Sequence, residues 1–391
     1  MKYVELKKYM KYTEYKLYET HKILTNHFNL SVMKKFMYLA VLAGVALVGC
    51  TKNERTTELI DSQKEITFTT PVLAVSTKTT EITNTTYPTT SSFNVFAWYN
   101  SGVTFEASSA SPYMENVQVT YNPSIDDDDP ANTSDGTGAW ISDPVYYWPK
   151  QGVLSFDAYS PNGLTGTVSA TAGDGIKVKD HIVDMTLATQ QDFLYATRAL
   201  NKTTSTGGNN ATYDGVDIPF KHALAVVKFT AKTAEDYSAT TTIKIKTIEI
   251  QNINDKGTFN QNESSSNPAW SAQTGSNKYV ALEKGTYDLS NELNNTTATP
   301  VGETVIVLPQ NFTASTQKLH IEYYIKTIAT DSKALLQKAD LYFHNTTPLT
   351  DDNKWEMGKR YTYNLVIGLD KIYFAPSVTD WTDVNVTVPQ I

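Results

Sequence analysis

FNVFAWY (Phe93–Tyr99), VQVTY (Val117–Tyr121) and VLSFDAY (Val153–Tyr159) are short runs dense in strand formers, each separated from the next by Gly, Pro, Asn or Asp. In VQVTY the residues Val117, Val119 and Tyr121 alternate onto one face, the period-two pattern of a half-buried strand. Working outward, EITFT at Glu65–Thr69 and LAVS at Leu73–Ser76 alternate in the same way. Ala223–Thr230, Thr242–Ile250, Thr304–Leu308, Lys318–Ile325, Lys338–Phe343 and Arg360–Ile367 also read as strands. Sustained helical periodicity is missing after Glu65. Many short strands with turn signals between them point to an all-β chain built of sandwiches.

Length and polar segments suggest the organisation. A chain of 391 residues suits two domains better than one. NKTTSTGGNNATYD at Asn201–Asp214 is polar, holds a Gly pair and reads as a linker or long surface loop. The expected division is therefore an N-terminal β-sandwich over residues 65–213 and a C-terminal one over 214–391. Asn252–Ser276 is a second polar stretch and reads as a long hairpin or loop inside the second domain.

The N-terminus reads as an address rather than as fold. FMYLAVLAGVALV at Phe36–Val48 follows Lys34 and Lys35 and ends at Leu47-Val48-Gly49-Cys50. It is short for a membrane span, which needs ~20 apolar residues. A basic start, a short apolar run and a small residue before the cut describe an export signal. Leu-Val-Gly-Cys resembles a bacterial lipobox, and Cys50 is the single cysteine of the chain. Residues 1–49 are thus expected to be leader and lipoprotein signal, with the working start at Met33, and residues 50–64 a polar tether behind a lipidated Cys50.

Charge narrows the partners. With 33 basic and 41 acidic residues the chain carries −8, and residues 1–49 hold +5 from eight Lys and three Glu, which leaves −13 on the body. So acidic a body repels phosphate backbones, and nucleic acid is not expected as a partner. One cysteine allows no internal disulfide. His181, His222, His320 and His344 are scattered, so no histidine-based metal signature exists. Asp126, Asp127, Asp128 and Asp129 are the one acidic cluster with a claim on Ca²⁺, but the EF-hand alternation is absent and a solvated acidic loop is the preferred reading. Trp140, Tyr146, Tyr147 and Trp148 could form a platform for sugar rings, although aromatics in sandwich strands more often fill cores. His222 reads as a hydrogen-bonded structural residue. Nucleophile elbows, P-loops and dinucleotide fingerprints do not occur in the body, so no enzyme and no cofactor are expected.

Several segments, in order, resemble the fimbrillin family, the two-domain pilins of type V pili on Gram-negative outer membranes. They are Ile66-Thr67-Phe68 shortly after the lipobox, FNVFAWY, WPKQGVLSFDAYSP at Trp148–Pro161, DFLYA at Asp192–Ala196 and FKHALAVVKF at Phe220–Phe229. VLPQ at Val307–Gln310, GKRYTY at Gly358–Tyr363 and IYFAPSVTDW at Ile372–Trp381 complete the series. The resemblance implies two tandem transthyretin-like Greek-key β-sandwiches, with Phe220–Phe229 opening the second. It also implies export as an outer-membrane lipoprotein, proteolytic removal of the first strand, and head-to-tail polymerisation with other pilin subunits. A host surface protein or glycan would be the adhesion target.

Both halves of such an exchange have matching residues. Ile66 and Phe68 share one face of the strand to be displaced. TDVNVTVPQI at Thr382–Ile391 places Val384, Val386 and Val388 on one face of a strand to be donated; the same pattern also suits an edge strand of its own domain. The best-studied shaft pilins of the family are cut just after the first strand by an arginine-specific protease, and here the matching position is Lys78. Arg55 lies before the strand, so cutting there would not release it. Either another protease acts at Lys78, or the strand stays and the subunit caps or anchors a pilus. The competing expectation is a non-polymerising surface lipoprotein that binds glycans.

Overall fold

Val153–Ser160 is buried at all eight positions, whereas Ser111–Asn122 buries Met114, Val117 and Val119 and exposes their neighbours. The first is a central strand covered on both faces, the second a strand with one wet face. The computed structural model describes residues 65–69, 71, 76–77, 80–81, 87–124, 138–204, 215–261, 268–285, 292–313, 316–329, 333–344, 353–369 and 372–380.

Among the described residues, the regular structure apart from a short 3₁₀ turn at Leu187–Thr189 is β. The strands are β1 (Thr67–Phe68), β2 (Ser76–Thr77), β3 (Thr80–Glu81), β4 (Ser92–Asn100), β5 (Ser111–Asn122), β6 (Ala139–Asp143), β7 (Val153–Ser160) and β8 (Thr167–Thr171). There follow β9 (Gly175–Ile182), β10 (Leu194–Ala196), β11 (Ala199–Lys202), β12 (Phe220–His222), β13 (Ala225–Thr233), β14 (Thr241–Ile253), β15 (Lys256–Asn260) and β16 (Ala269–Thr274). The last are β17 (Asn277–Glu283), β18 (Thr299–Pro300), β19 (Val305–Val307), β20 (Lys318–Thr327), β21 (Leu335–Tyr342), β22 (Lys359–Ile367) and β23 (Ile372–Asp380). The all-β expectation holds.

The described strands form four larger sheets and the β2–β3 pair. The first runs β1-β6-β5-β4-β7-β10-β12, with β11 also on β7. The second runs β18-β13-β22-β23 with β19 on β13, the third β17-β14-β20-β21, and the fourth β16-β15-β9-β8. One core draws on residues between Ile66 and Phe220, including Phe93, Val95, Trp140, Leu154 and Phe156. A larger core takes Val227 and Phe229 from β13, Tyr361 and Leu365 from β22, and Ile243 to Ile250 and Ile321 from β14 and β20. Strand β4 serves both cores: Phe93, Val95 and Ala97 point into one, Phe96 and Trp98 into the other.

Among the described residues, two pairings between named strands cross residue 213, as does the Phe68–Val216 bridge. Strand β9 pairs with β15, and β12 pairs with β10 in register Leu194↔His222 to Ala196↔Phe220. The run Phe220–Phe229, expected as one opening strand, is therefore two: it leaves the first sheet at His222 and joins the second at Ala225. Both Ala223 and Leu224 are buried at the crossing, so an unbroken apolar run concealed the break. The polar stretch 252–276 holds the β15–β16 hairpin, in agreement with its reading.

On one face of β7, the side that carries Tyr159, lies a buried ion pair. Asp157 accepts from Arg198 Nε at 2.8 Å, from Arg198 Nη2 at 2.9 Å and from Trp98 Nε1 at 2.9 Å. Arg198 Nη1 donates to the carbonyl of Ala172 at 2.8 Å. A buried charge persists only when paired and bonded in this way.

Candidate strand-exchange site

The first strand sits between two stretches of chain that come from far along the sequence. On one side β1 pairs antiparallel with β6, Thr67 with Ile141 and Phe68 with Trp140, and Ile66 N–H donates to the carbonyl of Tyr146 at 2.8 Å. On the other side Thr69 N–H donates to the carbonyl of Val216 at 3.0 Å, and Val216 N–H to that of Thr67 at 2.9 Å. From Val216 the chain continues as a strap to Phe220–His222, which pairs with β10. Thr197 N–H meets Pro219 O at 3.2 Å on the way. The first sheet is thus curled, and β1 with the strap closes it around its core.

Alternation points Ile66 and Phe68 into that core, where they are 1% and 2% exposed. The Phe68 ring stands edge-on to Phe93 at 5.7 Å and to Phe156 at 5.8 Å. Val216 and Ile218 of the strap are fully buried in the same core. Gly215 holds the strap against the strand: at φ +86° an added Cβ would lie 2.6 Å from the Phe68 carbonyl carbon. Tyr87 also packs in this core, and its N–H donates to Pro71 O at 2.9 Å. Burial pushes the Tyr87 phenol up to about 12. Its hydroxyl pairs with Ser160 Oγ at 2.6 Å, and its ring stacks on Phe220 at 5.6 Å.

Chemically the site is an apolar slot with backbone hydrogen-bonding groups on both walls. The chain's own Ile66–Phe68 segment fills it, with Ile66 and Phe68 alternating inward. The fimbrillin-like family model matches residues 64–381, beginning next to this strand. The chain belongs to the fimbrillin-like family.

This fimbrillin-like chain resembles a crystal structure of a fimbrial protein from Bacteroides vulgatus ATCC 8482, with a TM-score of 0.60 and 18% identity over 82% of this chain and 100% of that one. At that identity the likeness establishes the fold. The tip fimbrial protein Mfa3 of Porphyromonas gingivalis, in a C-terminally truncated form, aligns with a TM-score of 0.33 and 13% identity over 74% of this chain and 94% of that one. No curated protein sequence matches. Fimbrillin-like proteins are structural fimbrial and adhesion proteins of the cell surface, not enzymes.

Of the residues singled out by sequence, the structure describes Ile66 and Phe68 and brings them together with the strap. Cys50 and Arg55, Lys78, Asp126–Asp129, and Val384, Val386 and Val388 lie outside the described residues. Lys78 falls between β2 and β3, which pair as Ser76↔Glu81 and Thr77↔Thr80. Among the described residues no group of three His, Cys, Asp or Glu gathers as for a metal. Of the four aromatics considered for a glycan platform, Trp140 and Trp148 are 0% and 5% exposed and belong to the core, Tyr146 packs half-buried against it, and Tyr147 is 37% exposed. His222 is a structural residue as expected, its Nδ1 2.7 Å from Asp192 Oδ2. The strap at 215–222 was not legible as part of the site. Its one signal is the alternation of Val216, Ile218 and Phe220 just after the polar run.

Proposed function

We propose that this chain is a structural or adhesive subunit of a cell-surface pilus, exported as a lipoprotein on Cys50 and polymerised by strand exchange after proteolysis. Its partners are then other pilin subunits, the outer membrane through the lipid, and a host surface protein or glycan. In this reading residues 65–213 and 214–391 are two transthyretin-like sandwiches, and the second lends its opening strap at 215–222 to close the sheet of the first. One observation carries the reading: a strand with two ordered ladder residues, Thr67 and Phe68, fills a slot between Trp140–Ile141 and Val216. Cutting at Lys78 would free that strand. Its loss leaves unpaired N–H and C=O groups on both walls beside Phe93 and Phe156, a template for another extended chain. The alternating Val384, Val386 and Val388 supply a matching segment, and a head-to-tail contact of this kind builds a filament.

Three buried valines would contribute roughly 1.5–3 kcal/mol each. Ordering the tail costs about 1–2 kcal/mol per residue, so the contact depends on all three. Truncation after Trp381, or Val386→Asp, is expected to abolish filaments on cells while the isolated chain keeps its melting transition. Normal filaments from the truncated chain would overturn C-terminal donation. Loss of the melting transition would show that the tail is a strand of its own unit. Of the four aromatics behind the competing glycan reading, Trp140 and Trp148 are interior, whereas Tyr147 is 37% exposed.

A further inference from the structure

Strand β21 is the end of the third sheet, and among the described residues no strand pairs with its outer edge. Its exposed side chains are Leu335, Leu336, Lys338, Asp340 and Tyr342, with Leu335 at 61%, Leu336 at 39% and Tyr342 at 47%. Two rows of charge run across the sheet to this edge. In one, Glu322 on β20 bridges Lys246 at 2.6 Å and Lys338 at 2.5 Å. In the other, Asp340 takes His320 and Lys318 at 2.7 Å each, and Glu249 lies opposite His320 in register. One row therefore ends at the edge in a cation and the next, two residues along, in an anion.

We propose that β21 is a self-complementary edge through which two copies of this chain pair, antiparallel, about a two-fold axis at Ala339. Laying Leu335–Tyr342 against a reversed copy of itself with Ala339 opposite Ala339 sets Lys338 opposite Asp340 of the second copy. It also sets Leu336 opposite Tyr342 of the second copy. The charge rows then join end to end: Lys246, Glu322 and Lys338 continue into Asp340, His320 and Glu249 of the second copy. Opposite charges directly across a strand pair are favourable and like charges are not. The neighbouring registers that keep the faces of the sheets on the same side are centred on Lys338 or Asp340. They oppose Lys to Lys or Asp to Asp, so the charges select one register. A lone lysine on an edge strand wards off pairing; an aspartate two residues away turns that repulsion into a match.

The inference is independent of strand donation. A two-fold contact uses the same patch on both copies and closes, so it joins two molecules and does not extend a filament. An eight-residue edge is smaller than a standard interface. The contact is therefore one that forms between copies held close together.

Oxidative cross-linking reads the register directly. In the full chain carrying Cys50→Ser, an Ala339→Cys variant is compared with Gln337→Cys. Self-opposed residues on the axis have Cβ atoms about 5 Å apart. The two copies of residue 337 are offset by about 13 Å along the strands, beyond disulfide reach. Ala339→Cys is expected to give at least tenfold more disulfide dimer than Gln337→Cys. Adding Lys338→Glu should lower that yield at least fivefold, with the melting transition retained. If that variant fails to fold, raising salt to about 0.5 M with Ala339→Cys alone should lower the yield instead. Equal yields at 337 and 339, no dimer at 339, or a yield indifferent to both charge reversal and salt would overturn the proposal.

Discussion

Replacing Phe68 by alanine is expected to cost about 4 kcal/mol of folding free energy. Phe→Ala in a core costs ~3–5 kcal/mol, the transfer of the lost atoms plus the cavity they leave. Three features place this site in the upper half of that range. Phe68 is 2% exposed, so nearly the whole ring is removed from water. It makes two edge-on ring contacts, with Phe93 and Phe156. The strap is held at Gly215 by backbone contact with Phe68, so the walls cannot easily close on the void. Urea unfolding followed by tryptophan fluorescence is a suitable assay, since Trp140 is fully buried in the same core. With a slope of about 3 kcal/mol/M the midpoint should fall by roughly 1.3 M. Val103→Ala, at a position 83% exposed, is the control and should change stability by less than about 0.5 kcal/mol. A Phe68→Ala loss below about 1 kcal/mol would refute the view that this strand closes the curled sheet.

Asp157→Ala should cost about 3–5 kcal/mol in the same assay, because Arg198 would remain buried without its carboxylate; a cost under about 1 kcal/mol would mean the guanidinium finds water. Burial beside Phe193 and Trp270 pushes the His181 imidazole down to about 4, below its unfolded value of ~6.5. Its neutral form is therefore the folded one, and its contribution is complete above pH ~6.5 and lost as pH falls towards about 4. His181→Gln should flatten the fall in melting temperature across that window, and an unchanged slope would count against it. Cys50→Ala should abolish incorporation of labelled fatty acid in cells, and unchanged labelling would exclude lipidation at Cys50.

Much of the strand pattern was legible because it depends on neighbours in sequence. FNVFAWY and VLSFDAY became β4 and β7, and Lys318–Ile325 and Arg360–Ile367 lie within β20 and β22. Strands such as TVSAT at β8 and AWSAQT at β16 escaped notice because they are edge strands with few apolar positions. The break at Ala223–Leu224 escaped for the opposite reason, since both sides of it are apolar and buried.

Taken alone, the sequence determined that the chain is β, that Ile66 and Phe68 share a buried face, and that catalytic motifs are missing. These follow from side-chain periodicity and composition, which a linear string carries. Only the tertiary structure decided that Val216 is the other wall of the first strand, that Asp157 meets Arg198, and that Lys338 and Asp340 end two charge rows on one edge. Each joins residues brought together by the order of strands in a sheet. That order is set by the summed burial of whole faces, and no local spacing encodes it.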